Sequence, residues 1–243
     1  YKGETLAIVG ESGSGKSVTS MSVMGLVAKG GKIVNGEINF CGQNLVGLPE
    51  KEMEKLRGKE MSMIFQDPMT CLNPVFTIGN QMEEVLKFQP KEMDKQPRHD
   101  KMIEMLEKVG MSNPEERLKQ YPHELSGGMR QRIMIALSLL CSPKLLIADE
   151  PTTALDVTIQ AQIMALMREL SQEINTSIIL ITHDLGVVAS IAKRVIVMYC
   201  GQIVENAAIK ELYYNPKHPY TWGLLKALPR LDMKENELQP IPG

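Results

Sequence analysis

Apolar residues in this chain fall into short unbroken runs, separated by longer segments in which they recur every three or four positions. The short runs are rich in branched side chains and end at glycine or polar residues, a pattern typical of buried strands. GEINFCG (36–42) instead alternates apolar and polar residues, which predicts a half-exposed antiparallel strand. The runs that predict buried strands are TLAIVG (5–10), MSMIFQDP (61–68, broken at Pro68), KLLIADE (144–150), SIILITHD (177–184) and RVIVMYC (194–200).

The segments with helical periodicity lie between and after these runs. Strands and helices alternate in the second half, which predicts parallel strands joined by crossover helices. The block from about 70 to 140 is helical throughout and is predicted to be an insertion into the sheet. The predicted fold class is therefore α/β, with a mainly parallel sheet, an antiparallel β portion and a helical subdomain. The predicted helices are 15–30 (stopped by Gly30 and Gly31), 78–88, 99–111, 128–140, 157–174, 185–192, 208–215 and 219–228.

The composition favours a folded protein that does not bind nucleic acid. Hydrophobic residues make up 43% of the chain, and 27 basic against 29 acidic residues leave no positive excess. The four cysteines stand far apart, which favours reduced thiols over a disulfide frame or a metal cluster. No apolar stretch reaches the roughly 20 residues of a membrane helix, and no signal peptide is evident. We therefore expect any contact with a membrane to pass through other proteins.

GESGSGKS (10–17) fits the pattern G-x-x-x-x-G-K-[ST] and lies between a predicted strand and a predicted helix. In a phosphate-binding loop, glycines let backbone N–H groups approach phosphate oxygens, and the helix N-terminus adds partial positive charge. Lys16 can reach the β- and γ-phosphates, and the Ser17 hydroxyl can ligate Mg²⁺. The flanking strand and helix argue against a chance glycine-rich turn. The residues predicted to surround the nucleotide are Gly10, Glu11, Ser12, Gly13, Ser14, Gly15, Lys16, Ser17 and Val18.

Four polar residues follow other predicted strands. Asp149 ends LLIAD, and the carboxyl end of a parallel strand is where ligands bind, so Asp149 is predicted to hold Mg²⁺ through its water shell. Glu150 comes next and can orient or deprotonate an attacking water. A lone histidine is most often structural, but the strand order would bring His183 to the same edge as Asp149. Gln66 ends a strand at a loop, where a glutamine is normally only a surface residue.

A second glycine pair, in ELSGGMRQR (124–132), opens a predicted helix more than a hundred residues after the phosphate loop. Ser126 can act as a simple helix cap. A cap does not explain Gly127 and Gly128, because each glycine costs about 1 kcal/mol against alanine inside a helix.

Together these elements resemble the ATP-binding-cassette (ABC) ATPases, and the resemblance covers nearly the whole chain. It implies that ATP and Mg²⁺ are the cofactors. The motifs stand in the family's order: Walker A (10–17), glutamine loop (Gln66), signature LSGGM (125–129), Walker B (145–149), catalytic Glu150, D-loop ALD (154–156) and switch His183. The implied roles are catalysis by Glu150, His183 and Gln66, and Mg²⁺ ligation by Ser17, Gln66 and Asp149.

In this family two cassettes pack head to tail, so the resemblance implies that the signature serves the partner's ATP. Ser126 and the N–H groups of Gly127 and Gly128 would cap the γ-phosphate held by the partner, and Asp156 would join the same site. The implied divisions are a core (1–69 and 144–206), a helical signature subdomain (70–143) and a C-terminal helical extension (207–243). Because the chain opens almost directly on a strand and ends at LQPIPG, we expect both ends to be truncated.

Within this family the chain more closely resembles the ATPase subunits of bacterial oligopeptide and dipeptide importers, with nickel importers as near relatives. This resemblance rests on FQDPMTCLNPVFTIGNQ, GGMRQRIMIALSL and above all HPYTWGLLKALPRLD. It implies ATP hydrolysis that powers peptide uptake, by a peripheral protein on the cytoplasmic face of the bacterial cell membrane. The implied partners are a second cassette (a paralogue or the same chain), two transmembrane permease subunits and an extracytoplasmic peptide-binding protein.

Two departures from the family pattern are visible. Val18 stands where many members have threonine, and Tyr1 is too close to the loop to be the aromatic residue that stacks on adenine.

Other classes of protein share the same ATP site. The alternative of an ATPase for nickel or another small solute stays open. A soluble cassette ATPase of DNA repair or translation would normally carry a long coiled-coil insertion or a second cassette. A P-loop kinase or GTPase would lack LSGGM and His183.

Overall fold

The computed structural model describes residues 1–66, 71–87, 94–153 and 156–227. Pro68, with its predicted strand break, lies outside these ranges. Within them a six-stranded sheet forms the centre and a two-stranded sheet lies apart from it. The strands are β1 (Thr5–Val9), β2 (Asn39–Phe40), β3 (Gln43–Asn44), β4 (Met61–Ile64), β5 (Leu145–Asp149), β6 (Ser177–Ile181), β7 (Arg194–Tyr199) and β8 (Gln202–Ala208).

The order of strands in the large sheet is β4-β5-β6-β1-β7-β8. The first five strands are parallel, and β8 pairs antiparallel with β7. The register sets Asp149 opposite Ile181, and Ile181 opposite Ile8. The carboxyl ends of β5, β6 and β1 therefore share one edge, as the alternation of strands and helices predicted.

Helices flank the sheet on both faces, and those between β4 and β5 form the predicted insertion. The last of these, α6, packs against both β4 and α7. No helix in the described part of the chain is both long and apolar enough to cross a membrane. The helices are α1 (Lys16–Val23), α2 (Glu50–Leu56), α3 (Ile78–Lys87), α4 (Lys95–Lys108), α5 (Pro114–Lys119), α6 (Gly127–Leu139), α7 (Val157–Glu173), α8 (Leu185–Ile191), α9 (Ile209–Tyr214) and α10 (Pro219–Lys226).

The apolar cores follow the alternation of side chains along the strands. Leu146 of β5 belongs to the core that joins the sheet to the helical insertion, while its neighbour Ile147 belongs to the core on the opposite face. Ile135 of α6 lies in the first of these cores, so the insertion is packed into the body of the protein. A further core fixes α9 and α10 to β1 and β7 through Leu212 and Tyr220.

Helix α1 is shorter than predicted, because it ends at Val23 rather than at Gly30. Gly25 adopts a left-handed conformation (φ 65°) directly after the C-cap residue. The N–H of Leu26 donates to the carbonyl of Met21 at 2.8 Å, which closes the glycine-terminated helix end known as the Schellman motif. The first glycine that can adopt this conformation therefore stops the helix, five residues before the predicted position.

The antiparallel strand predicted for 36–42 is also shorter in the structure. It is confirmed as antiparallel, but only Asn39–Phe40 pairs, with Gln43–Asn44. Cys41 and Gly42 both have positive φ (50° and 84°), the backbone of a tight two-residue hairpin turn. This turn reverses the chain before a longer strand can form. Helix α2, in the segment that follows, was not predicted.

Candidate functional site

The residues predicted to surround the nucleotide, 10–18, form the loop from β1 and the first turn of α1. A Cβ atom added to Gly10 would lie 2.2 Å from the backbone oxygen of Met198, so only glycine fits there. The N-cap of α1 is Gly15, which offers no side-chain oxygen to the first turn. By contrast Ser126, Asp156 and Asp184 cap their own helices with side-chain oxygens. The start of α1, which follows the glycine-rich loop directly, is thus suited to an external anion.

Lys16 is buried within this loop, with 6% of its surface exposed. Its Nζ donates to the carbonyl oxygens of Gly10 at 2.7 Å and Glu11 at 2.8 Å, and approaches Ser14 Oγ at 3.5 Å. Burial lowers the pKa of Lys16, while the carboxylates of Glu150, Asp149 and Glu11 oppose that shift. The loop therefore keeps an ammonium group among its own backbone oxygens, where a phosphate can compete for it.

Asp149 ends β5 and is almost completely buried, with 3% exposure. Burial raises the pKa of Asp149, and the neighbouring Ser17 side chain opposes the rise. Its Oδ1 atom has no hydrogen-bond partner among the described residues. A buried carboxylate oxygen without a partner is costly, and a hard cation with oxygen ligands would remove that cost. Asp149 and Ser17 therefore fit a Mg²⁺ ion.

Three side chains meet on the carboxylate of Glu150. His183 Nδ1 lies 3.1 Å from Oε1, Gln66 Nε2 donates to Oε2 at 3.4 Å, and Thr153 Oγ1 donates to Oε2 at 3.1 Å. The structure thus brings together Glu150, His183 and Gln66, all predicted from the sequence. It places Gln66 against this carboxylate, and shows no hydrogen bond between Gln66 and Asp149. Thr153 was not predicted, although a hydroxyl three residues after a carboxylate is a familiar turn signal.

The backbone at Glu150 is left-handed, with φ 48°. Its N–H donates to the carbonyl of Ile181 at 2.8 Å, which ties the turn to the end of β6. Such a conformation costs about 1–3 kcal/mol for a residue other than glycine, and it persists only where the surroundings impose it. The fold therefore fixes the direction of this side chain.

The predicted trans-acting residues lie at the starts of α6 and α7. Ser126 Oγ accepts the N–H of Met129 at 3.3 Å, so the capping role holds within the chain. Asp156 caps α7 in the same way, through the N–H of Ile159 at 3.0 Å. Ala154 and Leu155, the rest of the predicted D-loop, lie outside the described residues. No hydrogen bond in the described ranges joins this group to loop 10–18.

Nothing inside the described chain requires glycine at 127 or 128. A Cβ added to Gly127 would meet no atom within 4 Å, and one added to Gly128 would make only an ordinary contact, 3.5 Å from Ile159 Cγ2. Neither residue has a positive φ. The glycine pair leaves open space beside the helix start, and that space suits a ligand from outside the chain.

Gln131 was missed by the sequence analysis. It is fully buried on α6, and its Nε2 donates to the carbonyl oxygen of Pro151, which follows Glu150 directly. This contact links the helix that starts at the signature to the turn that carries the candidate base. The sequence signal was a glutamine directly before the apolar run RIMIALSLL (132–140), and it does not identify a partner.

The sequence matches two family models: "ABC transporter" over residues 1–153, and "Oligopeptide/dipeptide transporter, C-terminal region" over residues 204–243. It is 59% identical to the oligopeptide transport ATP-binding protein AppD of Bacillus subtilis (strain 168), over 100% of this chain and 74% of that protein. Identity to OppD of the same organism is 60%, over 100% and 68%. The dipeptide transport ATP-binding protein DppD of Escherichia coli (strain K12) is 51% identical, over 100% and 74%.

Solved structures of ATP-binding cassettes have a similar fold. A dimeric ATP-binding cassette in a post-hydrolysis state, bound to ADP and Pi, superposes with a TM-score of 0.75 at 28% identity, over 86% of this chain and 87% of that chain. A second dimeric structure, of a bacterial ABC transporter cassette, gives a TM-score of 0.74 at 28% identity, over the same shares.

Proposed function

This chain belongs to the ABC transporter family, and we propose that it is the ATP-hydrolysing subunit of a bacterial importer for oligopeptides or dipeptides. The observation that carries ATP hydrolysis is the convergence of Gln66 and His183 on the carboxylate of Glu150. Peptide as the solute rests on the named relatives and on the family model that matches residues 204–243.

The phosphates of ATP would lie against loop 10–18 and the uncapped start of α1. Backbone N–H groups there can donate to phosphate oxygens. Lys16 would exchange a carbonyl partner for the β- and γ-phosphates. Its ammonium group already lies inside the loop, so little reorganisation is needed.

Glu150 would act on the attacking water. Its carboxylate accepts a proton from the water, or orients it toward the γ-phosphorus. His183 fixes one carboxylate oxygen and Gln66 the other, so the base cannot rotate away from the reacting atoms. Mg²⁺, when bound, supplies charge neutralisation on the β- and γ-phosphate oxygens. Ser17 and Asp149 would hold it, with Gln66 as the further ligand expected from the family.

A second cassette would complete the site. Ser126 and Asp156 cap the starts of α6 and α7, and Gly127 and Gly128 are the first residues of α6, where Gly127 leaves unfilled space. We infer that this surface covers the γ-phosphate held by a partner cassette, either a paralogue or a second copy. Two solved relatives of the fold are dimeric cassettes, which supports this arrangement.

The remaining partners would be two transmembrane permease subunits and an extracytoplasmic peptide-binding protein. Through them the chain would lie at the cytoplasmic face of the bacterial cell membrane. Phe65, Val75 and Phe76 lie in the connection from β4 to α3 and are 37%, 70% and 49% exposed. Apolar side chains there suit a contact with the permease loops.

A reconstituted transporter tests the proposal. The subunit, its partner cassette and the permease subunits are placed in vesicles with the binding protein, and ATP hydrolysis and solute uptake are measured together. Uptake of a labelled peptide that requires ATP, with no uptake of nickel, is the expected result. ATP-driven nickel uptake without peptide uptake would favour the alternative solute, and no ATP hydrolysis in any assembly would overturn the enzyme assignment.

A further inference from the structure

HPYT (218–221) belongs to the C-terminal segment on which the resemblance to peptide importers mainly rests. Its tyrosine contacts the phosphate loop. The hydroxyl of Tyr220, in the first turn of α10, accepts the backbone N–H of Glu11 at 3.1 Å. These two residues stand 209 positions apart. Glu11 is the second residue of the loop that is proposed to bind ATP. The C-terminal segment therefore contacts the backbone of the proposed phosphate-binding loop.

The position of the Tyr220 hydroxyl is fixed by its surroundings. The side chain is 6% exposed, and its ring packs on that of Tyr199 with centroids 4.4 Å apart. Its backbone N–H donates to His218 Nδ1 at 3.2 Å. The carboxylate of Glu205 accepts the N–H groups of Lys217 and His218 at 2.9 and 3.0 Å. The turn before α10 is thus anchored to β8, and Tyr220 has little freedom to move.

The same side of the loop rests on the hairpin between β7 and β8. Gly201 donates its N–H to the carbonyl of Ser14 at 3.1 Å. Gly10 lies so close to the backbone of Met198 that no side chain fits between them. The Tyr220 contact adds a third tether, on the residue between these two points. These tethers leave the inner side of the loop for phosphate.

We propose that Tyr220 is a positioning residue for nucleotide binding, which holds the phosphate loop in its binding conformation through the N–H of Glu11. The inference rests on the proposed ATP site and gives the C-terminal segment a part in it. The apparent affinity is proportional to the fraction of molecules whose loop is in its binding conformation, so it falls when that fraction falls. A single neutral hydrogen bond shifts such an equilibrium by about threefold to tenfold. Burial raises the pKa of Tyr220, so its hydroxyl is neutral at physiological pH and the bond with Glu11 is of this neutral kind.

The experiment compares Tyr220→Phe with Tyr199→Phe. The first change keeps the buried ring and removes only the hydroxyl that contacts Glu11. The second removes a hydroxyl from the same aromatic pair without touching the loop backbone. MgATP affinity is measured on the chain itself, and KM and kcat are measured in the reconstituted transporter. We expect Tyr220→Phe to weaken affinity and raise KM measurably, by up to about tenfold, with kcat within about twofold, and Tyr199→Phe to match the wild type.

Residue-resolved hydrogen exchange gives a second, independent readout. The Glu11 amide should be protected in the wild-type chain relative to the Ser12 amide, which has no hydrogen-bond partner in the described structure. That protection should disappear in Tyr220→Phe. Equal exchange of the two amides in the wild type overturns the inference even if the variant does not fold. Unchanged MgATP affinity in a folded Tyr220→Phe also overturns it, whereas a wild-type chain that does not bind MgATP at all overturns the proposed function instead.

Discussion

His183 Nδ1 lies 3.1 Å from Oε1 of Glu150, across the ends of two neighbouring parallel strands. The other carboxylate oxygen of Glu150 accepts bonds from Gln66 and Thr153. Both oxygens are thus held by side chains from three different segments of the chain. These contacts favour one orientation of the carboxylate, so a change confined to its chemistry can be tested separately from nucleotide binding.

Replacement of Glu150 by glutamine should therefore stop hydrolysis without stopping binding. The amide keeps the shape of the side chain but cannot take a proton. We expect the rate of ATP hydrolysis to fall by about 100-fold or more, while ATP affinity stays within about threefold. Steady-state ATPase assays and a binding titration on the same preparation check this. Thr153→Ala, which leaves the carboxylate in place, is the control and should cost far less activity. A variant that keeps a tenth of the wild-type rate would remove Glu150 from the role of base.

Lys16→Ala should weaken ATP binding itself. The change removes the cation of loop 10–18 and leaves the carbonyl oxygens of Gly10 and Glu11 without their partner. We expect ATP affinity to fall by about tenfold or more, since charge-assisted hydrogen bonds to phosphate are the strong ones. Lys55→Ala, at an exposed pair with Glu52, is the control and should bind as the wild type does. Wild-type affinity in Lys16→Ala would contradict the assignment of the loop.

Gly127→Ala should separate folding from assembly. An added methyl group meets no atom within 4 Å in the single chain, so thermal stability should be unchanged or slightly higher. In the Glu150→Gln background, ATP should produce a dimer that elutes early in size-exclusion chromatography. Gly127→Ala should reduce that dimer, and Ser126→Arg should abolish it, while ATP binding to the monomer stays nearly intact. Normal ATP-dependent dimerisation of the Ser126→Arg double variant would refute a role for the signature in trans.

Stability should fall in acid because of the pair formed by Glu4 and Arg194. Arg194 donates to both carboxylate oxygens, at 2.9 and 3.1 Å. These hydrogen bonds are the largest cause, and the amino group of Tyr1 a smaller one, of the lowering of the pKa of Glu4 from 4.5 to about 2. Because the pKa is lowered in the folded state, the contribution is complete above pH 4.5 and is lost as the pH falls toward 2. It amounts to at most about 3 kcal/mol of unfolding free energy.

Urea unfolding at pH 6, 4.5 and 3 measures this dependence. Glu4→Gln should be less stable than the wild type at pH 6 and should approach it at pH 3. Glu52→Gln is the control, because its pair with Lys55 is exposed and contributes little. Parallel curves for the wild type and Glu4→Gln across this range would show that the pair has no pH-linked effect.

The sequence predicted the parallel sheet and the meeting of Asp149, Glu150 and His183, because strand order decides which strand ends share an edge. Local backbone detail was predicted less well. The left-handed Gly25 ended α1 early, and the Cys41–Gly42 turn cut the antiparallel strand to two residues. Gly25 and Gly42 are both visible in the sequence, but the apolar pattern alone does not show which glycines end a helix or reverse the chain.

Long-range contacts were beyond the sequence pattern for a different reason. Gln131 meets the backbone of Pro151, 20 positions away, and Tyr220 meets that of Glu11, 209 positions away. In each case a side chain contacts a backbone group. Nearly every residue has the same backbone groups, so residue types do not indicate which one is the partner. Such contacts depend on how α6 and α10 dock, which only the packed structure defines.

The left-handed backbone at Glu150 means that the residue best for thermal stability differs from the residue proposed to be needed for ATP hydrolysis. Glycine is the residue that adopts this conformation without cost, so Glu150→Gly should relieve about 1 kcal/mol of backbone strain. A library of this chain sorted only for survival of heating would therefore be enriched in glycine at position 150, and every such survivor would be catalytically dead. Enrichment of glycine would indicate that glutamate at this position serves function rather than folding. A heat-selected library that retained glutamate there would show that its side-chain contacts outweigh the backbone cost.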